Sequence, residues 1–199
     1  MSIYPLSPSP NFQGETLYQT WEDGFTSNEC HRIINYGESL SPKPATVGNN
    51  IDTNVVNSIR TSKTAWLECN NDTKWLYERL GNILRVTNGM FWKFDIRGFH
   101  EHIQYTVYEG DDQGFYRWHV DNNMQSDVPP RKLSMTVQLS DPSEYTGGEL
   151  QLHDGEVQTA VNSRGHVIIF PSYALHRVQP VTSGIRRSLV VWANGPAFK

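Results

Sequence analysis

From Phe91 to Ala193 the sequence is a succession of short β-type runs broken by turn signals, and this pattern limits the fold more than any other feature. The runs are FWKFDI, EHIQYTVY, GFYRWHV, KLSMTVQLS, GELQLH, GHVIIF, ALHRVQ and RRSLVVWA, with EGDDQG, SDPSEYTGG and TSG between them. Many short strands at this spacing fold as an antiparallel sandwich or barrel. Two amphipathic helices precede the strands, and their apolar stripes need a sheet to cover. In DGFTSNECHRIINYGESL, Thr26 or Ser27 can cap, Glu29 supports the first turn, and Cys30, Ile33, Ile34 and Tyr36 share a face. In NDTKWLYERLGNILRVTN, Trp75, Leu76, Leu80, Ile83 and Leu84 form the buried face, and Asp72 caps or charges the first turn. The expected class is α+β: a double-stranded β-helix (jelly roll, cupin-like) buttressed by N-terminal helices. The chain reads as a single domain over 1–199, with 1–90 as helical support and loops and 91–195 as the jelly-roll core.

One strand indicates what the sheet encloses. In KLSMTVQLS, alternation puts Leu133, Met135, Val137 and Leu139 on one face and Ser134, Thr136 and Gln138 on the other. The apolar face can pack on the helices. The polar face is turned either outward to solvent or inward to a polar cavity, where a small polar ligand can bind. The first ten residues, rich in Ser and Pro, read as a loose arm, and the stretch 41–58 as a long loop or hairpin.

Composition excludes several functions. A net charge of −4 argues against a nucleic-acid partner, which calls for a basic surface. No apolar run approaches the roughly 20 residues that span a bilayer, so no membrane partner is expected. The N-terminus lacks the basic and apolar regions of a signal peptide. The two cysteines, Cys30 and Cys69, lie in unlike contexts and form neither a disulfide framework nor a CxxC site. Two reduced thiols suit a cytoplasmic setting, which also suits ferrous iron.

The chemistry begins at GFYRWHVDNN. On a strand, His119 and Asp121 point the same way and Val120 points the opposite way. Among the other histidines, His31 reads as a helix-surface residue and His153 as a turn residue. His166 reads as a satisfied structural histidine, and His100 with His102 as a rival pair lacking a carboxylate partner strand. His176, in FPSYALHRVQPV, follows an apolar strand and precedes a Pro-containing turn, so a jelly roll can bring it to the same mouth. Two imidazoles and one carboxylate form the open facial arrangement that suits non-haem Fe(II), and zinc with an open position is also compatible with it. Downstream, Arg186 and Arg187 precede an apolar strand, so one faces inward and needs an anion. Ser188, two residues beyond Arg186, and Tyr108, on the strand before His119, can join it.

YRWHVD, the GGEL turn and GHVIIFPSYALHRVQPVTSGIRRSLVVW together resemble the Fe(II)/2-oxoglutarate-dependent dioxygenases. Within them they are similar to the prolyl 4-hydroxylase-like group, and most to the PKHD-type hydroxylases. The resemblance implies His119, Asp121 and His176 as iron ligands and Arg186 as the anchor for the far carboxylate of 2-oxoglutarate. Tyr108 and, more loosely, Gln138 would contact the same co-substrate. The implied reaction uses Fe(II), O2 and 2-oxoglutarate, with ascorbate as a reductant. It releases succinate and CO2 and hydroxylates a substrate, by analogy a prolyl residue in a peptide or protein. Another side chain or a small molecule is the alternative substrate. A non-catalytic cupin-like binding module and a zinc hydrolase are the readings from other classes. NNMQSDVPPR, after the HVD strand, and the loop 41–57 are candidates to cover the mouth, and Trp118 is expected to pack away from the metal.

Overall fold

The computed structural model describes residues 17–46, 58–122 and 129–197. The expected N-terminal arm, most of the loop 41–57 and most of the NNMQSDVPPR lid lie outside the described residues. Thirteen strands and two α-helices are described: β1 (Gln19–Trp21), α1 (Ser27–Ser39), β2 (Lys43–Pro44), β3 (Arg60–Thr61), β4 (Lys63–Leu67), α2 (Lys74–Met90), β5 (Ile103–Glu109), β6 (Phe115–His119), β7 (Arg131–Gln138), β8 (Tyr145–Gly147), β9 (Leu150–His153), β10 (Val157–Thr159), β11 (Val167–Pro171), β12 (Leu175–Val178) and β13 (Val181–Asn194). The larger sheet runs β1-β11-β7-β13-β5-β4-β2, with β8 also on β13, and the smaller runs β10-β9-β12-β6-β3. All the strand pairs are antiparallel. This is the expected double-sheet architecture. Among the described residues no helix is long and apolar enough to cross a membrane.

The helices form where capping and periodicity place them. Thr26 caps α1: its hydroxyl accepts from Glu29 N at 3.3 Å while the Glu29 carboxylate accepts from Thr26 N at 2.9 Å. Asp72 does not cap α2, contrary to the expectation from sequence. The helix starts after Thr73, and Asn70 organises the entry by accepting from Asp72 N at 2.9 Å and Thr73 N at 3.3 Å. An Asx turn therefore replaces the expected acidic cap.

Two cores result. Cys30 and Ile33 of α1 and Leu76, Leu80, Ile83 and Leu84 of α2 pack on Tyr105, Leu133, Met135, Val137, Leu189 and Val191 of the larger sheet. Each buried leucine contributes about 1.5–3 kcal/mol. Tyr108, Leu150, Leu152, Ile168, Phe170 and Val178 form the other core, which joins the two sheets. Ser134, Thr136 and Gln138 are buried, so the polar face of β7 is turned inward and not to solvent.

FWKFDI is not a strand. Asn88 ties this segment back to the end of α2: its amide donates to Phe94 O at 2.9 Å and its carbonyl accepts from Phe94 N at 3.0 Å. Lys93 sits at φ 55° and donates to Asn88 O at 2.7 Å. These bonds take backbone groups that a sheet would otherwise pair. β1, β2, β3, β8 and β10, of two or three residues each, carry too few residues to show an alternation in the sequence, and the five-residue β4 is not among the runs expected from sequence.

Candidate metal centre

β6 and β12 bring the three candidate ligands together. His119 ends β6, His176 is its antiparallel partner on β12, and Asp121 follows with its N–H donating to Ser172 O at 2.8 Å. The ligand atoms of His119, Asp121 and His176 all lie within 4.8 Å of one another. His119 Nε2 is 3.6 Å from Asp121 Oδ1, and His176 Nε2 is 3.5 Å from Asp121 Oδ2. Val120 points away and is exposed, as strand parity requires.

Both imidazoles are fixed in the same way. His119 Nδ1 lies 2.8 Å from Arg117 O and His176 Nδ1 lies 2.9 Å from Ala174 O. A carbonyl only accepts, so each Nδ1 carries the proton and each Nε2 presents its lone pair to the cluster. Burial, followed by the facing His176, pushes the His119 pKa down to about 4, so the ring is neutral near pH 7. Burial pushes the Asp121 carboxyl up, but His176, His119, the nearby Trp192 indole and Ser134 together lower it, and the net shift is downward. Ser134 Oγ donates to Asp121 Oδ2 at 2.7 Å and lies 3.0 Å from Ser172 Oγ.

Next to this cluster lies a buried cation with spare donors. Arg186 is 1% exposed, and its Nη2 donates to Gln138 Oε1 at 3.0 Å. Its Nε and Nη1 are buried with no hydrogen-bond partner. Leaving such donors unpaired costs about 1–3 kcal/mol each, more for a charged group, so the site favours an anion. Tyr108 faces Arg186 across β5 and β13, with the guanidinium carbon 5.5 Å from its ring centroid. Arg187 turns to the other face and pairs with Glu38 at 2.8 Å. The inward arginine is therefore the first of the two.

A cavity of about 280 Å³ connects the two halves and is lined by His119, Asp121, His176, Arg186, Tyr108 and Ser188. Gln138 is absent from the lining and reaches the site through Arg186. The donor set fits iron(II): two imidazole nitrogens and one carboxylate oxygen converge, with no thiolate among them. The unpaired guanidinium donors fit a carboxylate co-substrate.

Several lining residues were not found from the sequence. Tyr116 stacks on His119 with ring centroids 3.5 Å apart, and Arg60 lies over Tyr116. Trp66, Glu101, Gln104, Arg131 and Trp192 complete the mouth. Arg131 pairs with Glu101 and stacks on Trp192, with its guanidinium carbon 3.7 Å from the ring centroid. Trp118 packs outside, as expected, against Arg177 and His153. His31, His100 and His102 are exposed and join no metal-binding cluster among the described residues. His153 ends β9 and accepts from Gly155 N at 3.3 Å. His166 is not fully satisfied, because its Nδ1 is buried without a partner.

Comparison with known proteins agrees with this geometry. Residues 103–194 match the family described as the 2OG-Fe(II) oxygenase superfamily. A PKHD-type hydroxylase of Synechococcus sp. (strain CC9902) is 47% identical over 79 residues, 39% of this chain and 35% of that protein. One of Psychrobacter sp. (strain PRwf-1) is 39% identical over 83 residues, 39% of this chain and 32% of that protein. The matched stretch thus spans about a third of each of these relatives. Among solved structures, the prolyl hydroxylase of Trichoplax adhaerens, in complex with a hypoxia inducible factor oxygen degradation domain peptide fragment, superposes with a TM-score of 0.74 at 20% identity, covering 89% of this chain and 83% of that one. A prolyl-4-hydroxylase of Pseudomonas putida gives 0.68 at 18% identity, covering 91% and 94%. At these identities the superpositions establish the shared fold.

Proposed function

We propose that residues 1–199 act as one domain with Fe(II)- and 2-oxoglutarate-dependent hydroxylase activity. The reaction consumes O2, releases succinate and CO2, and hydroxylates a prolyl residue in a peptide or protein. One observation carries this reading: the three-ligand cluster and a buried arginine with two unpartnered donors share a cavity. His119, Asp121 and His176 hold the iron. Arg186, steadied by Gln138 and flanked by Tyr108 and Ser188, takes the far carboxylate of 2-oxoglutarate. Fe(II) bound here would supply O2 activation coupled to oxidative decarboxylation of 2-oxoglutarate, and ascorbate would return oxidised iron to Fe(II) between turnovers.

The chain's own groups do the rest. The two Nδ1–H bonds to backbone carbonyls keep the imidazole lone pairs converging, and Ser134 holds one carboxylate oxygen of Asp121. Phe170, Leu150 and Val178 line the inner wall and keep water from the reacting centre. Trp66, half exposed at the mouth, offers a flat apolar surface that suits a pyrrolidine ring. The peptide bound to the Trichoplax relative supports a peptide substrate. The free thiols of Cys30 and Cys69 support a reducing, cytoplasmic setting.

The test is incubation of the iron-loaded protein with 2-oxoglutarate, O2 and a panel of proline-containing peptides. Succinate release coupled to one oxygen atom added at a proline is the expected result. Succinate release stimulated only by free amino acids or other small molecules contradicts the prolyl assignment.

A further inference from the structure

The contact between Tyr116 and His119 depends on an irregularity in β6. His119 pairs with His176 and Tyr116 pairs with Val178, so three steps along β6 match two along β12. Regular alternation would put Tyr116 on the face opposite His119. The β-bulge returns it to the same face. The strand's outer side is packed as well: the Arg177 guanidinium carbon lies 4.5 Å from the Trp118 ring centroid, and the His153 ring meets Trp118 edge-on at 5.8 Å. On the inner side Tyr116 lies against the His119 imidazole, with centroids 3.5 Å apart and planes 17° from parallel.

Arg60 is the cross-strand partner of Tyr116 on β3. It is buried, its guanidinium carbon lies 4.8 Å from the Tyr116 ring centroid, and its Nε donates to Ser62 Oγ at 2.7 Å. The Nδ1–H bond to Arg117 O secures one edge of the His119 ring. Torsion about the bond to a histidine ring is soft, so this single bond sets which nitrogen faces the cluster and leaves the tilt of the ring to its packing neighbours. His176, at 4.1 Å and 52° from parallel, does not offer a flat surface. Tyr116 does.

We propose that Tyr116 and Arg60 are positioning residues for the metal ligand His119. The bulge delivers the Tyr116 ring as a flat stop for the imidazole, and Arg60 holds that ring from the neighbouring strand. The inference rests on the metal role proposed above for His119. It assigns Tyr116 its ring rather than its hydroxyl, and Arg60 its cation rather than a hydrogen bond to a ligand.

The test is a Mn(II) titration of the metal-free full chain, followed by electron paramagnetic resonance, with thermal melting alongside. Tyr116→Leu and Arg60→Met should each weaken Mn(II) binding about tenfold, the lower end of what loss of an outer partner of a metal ligand costs. Tyr116→Phe and Arg60→Lys, which keep ring and charge, should stay within about twofold of the parent. Unchanged affinity in both disruptive variants overturns the proposal, and so does a Tyr116→Phe as weak as Tyr116→Leu. Arg60 lies on a two-residue edge strand, so Arg60→Met tests the claim even if Tyr116→Leu does not fold. A parent protein that binds no Mn(II) sinks the metal site itself. Parent binding with unaffected variants sinks only the positioning role.

Discussion

Gly148, in the turn between β8 and β9, has φ +70°, and a Cβ there would lie 2.9 Å from Arg186 Cδ and 2.8 Å from Val181 Cγ2. The left-handed backbone and the contact with the Arg186 stem both require glycine. Gly148→Ala is expected to weaken 2-oxoglutarate binding about tenfold, the loss that about 1.4 kcal/mol represents. Mn(II) binding should be unchanged, and isothermal titration of each ligand separates the two effects. Equal 2-oxoglutarate affinity in parent and variant would show that Arg186 is not held by this turn. That one arginine of the pair turns inward was legible from strand alternation, and the resemblance to the dioxygenases singled out Arg186; in the structure Leu189 and Val191 enter the helix-side core, and Arg186 and Ser188 line the cavity. Tyr116 was not legible, because a bulge leaves no mark in hydrophobic alternation. Ser134 stood on the polar face of β7 in plain view, but only the tertiary pairing with Asp121 gives it a purpose.

At the scale of elements, α1 is pressed against the larger sheet at Gly37. A Cβ there would meet the Tyr105 ring at 2.6 Å. Tyr105 is fully buried and its hydroxyl donates to Glu38 Oε1 at 2.9 Å, so the ring has nowhere to go. Alanine in a helix interior is favoured over glycine by about 1 kcal/mol, whereas overpacking a tight core costs about 1–3 kcal/mol. Gly37→Ala should therefore destabilise the protein by up to about 2 kcal/mol in urea unfolding, with an unchanged slope. A stabilised variant would mean that the helix and sheet are less closely packed. The capping box of α1 was readable as Thr26 and Glu29 because it is a purely local device. FWKFDI misled because its apolar content matches a strand, while Asn88, which lies outside the run, takes its backbone groups.

In the whole molecule, three neighbouring strands of the larger sheet share one arrangement. β7, β13 and β5 each turn apolar residues to the helices and polar ones inward, with Thr136, Arg186, Ser188, Gln104 and Tyr108 lining the cavity. The smaller sheet closes over them and supplies His119 and His176 from adjacent strands. The jelly roll and the convergence of His119, Asp121 and His176 were legible because both rest on period-two alternation and on chemically distinctive residue types. The mouth was not, since Trp66 of β4, Gln104 of β5, Glu101 of the connection before β5 and Arg131 at the start of β7 converge only in the fold. The central claim is that one cavity holds iron on His119, Asp121 and His176 and 2-oxoglutarate on Arg186. Anaerobic titration of the metal-free protein with Fe(II) and then 2-oxoglutarate tests it most directly. The expected result is a weak visible metal-to-ligand charge-transfer band that is absent in His176→Ala, and a well-folded parent protein that develops no such band would contradict the claim.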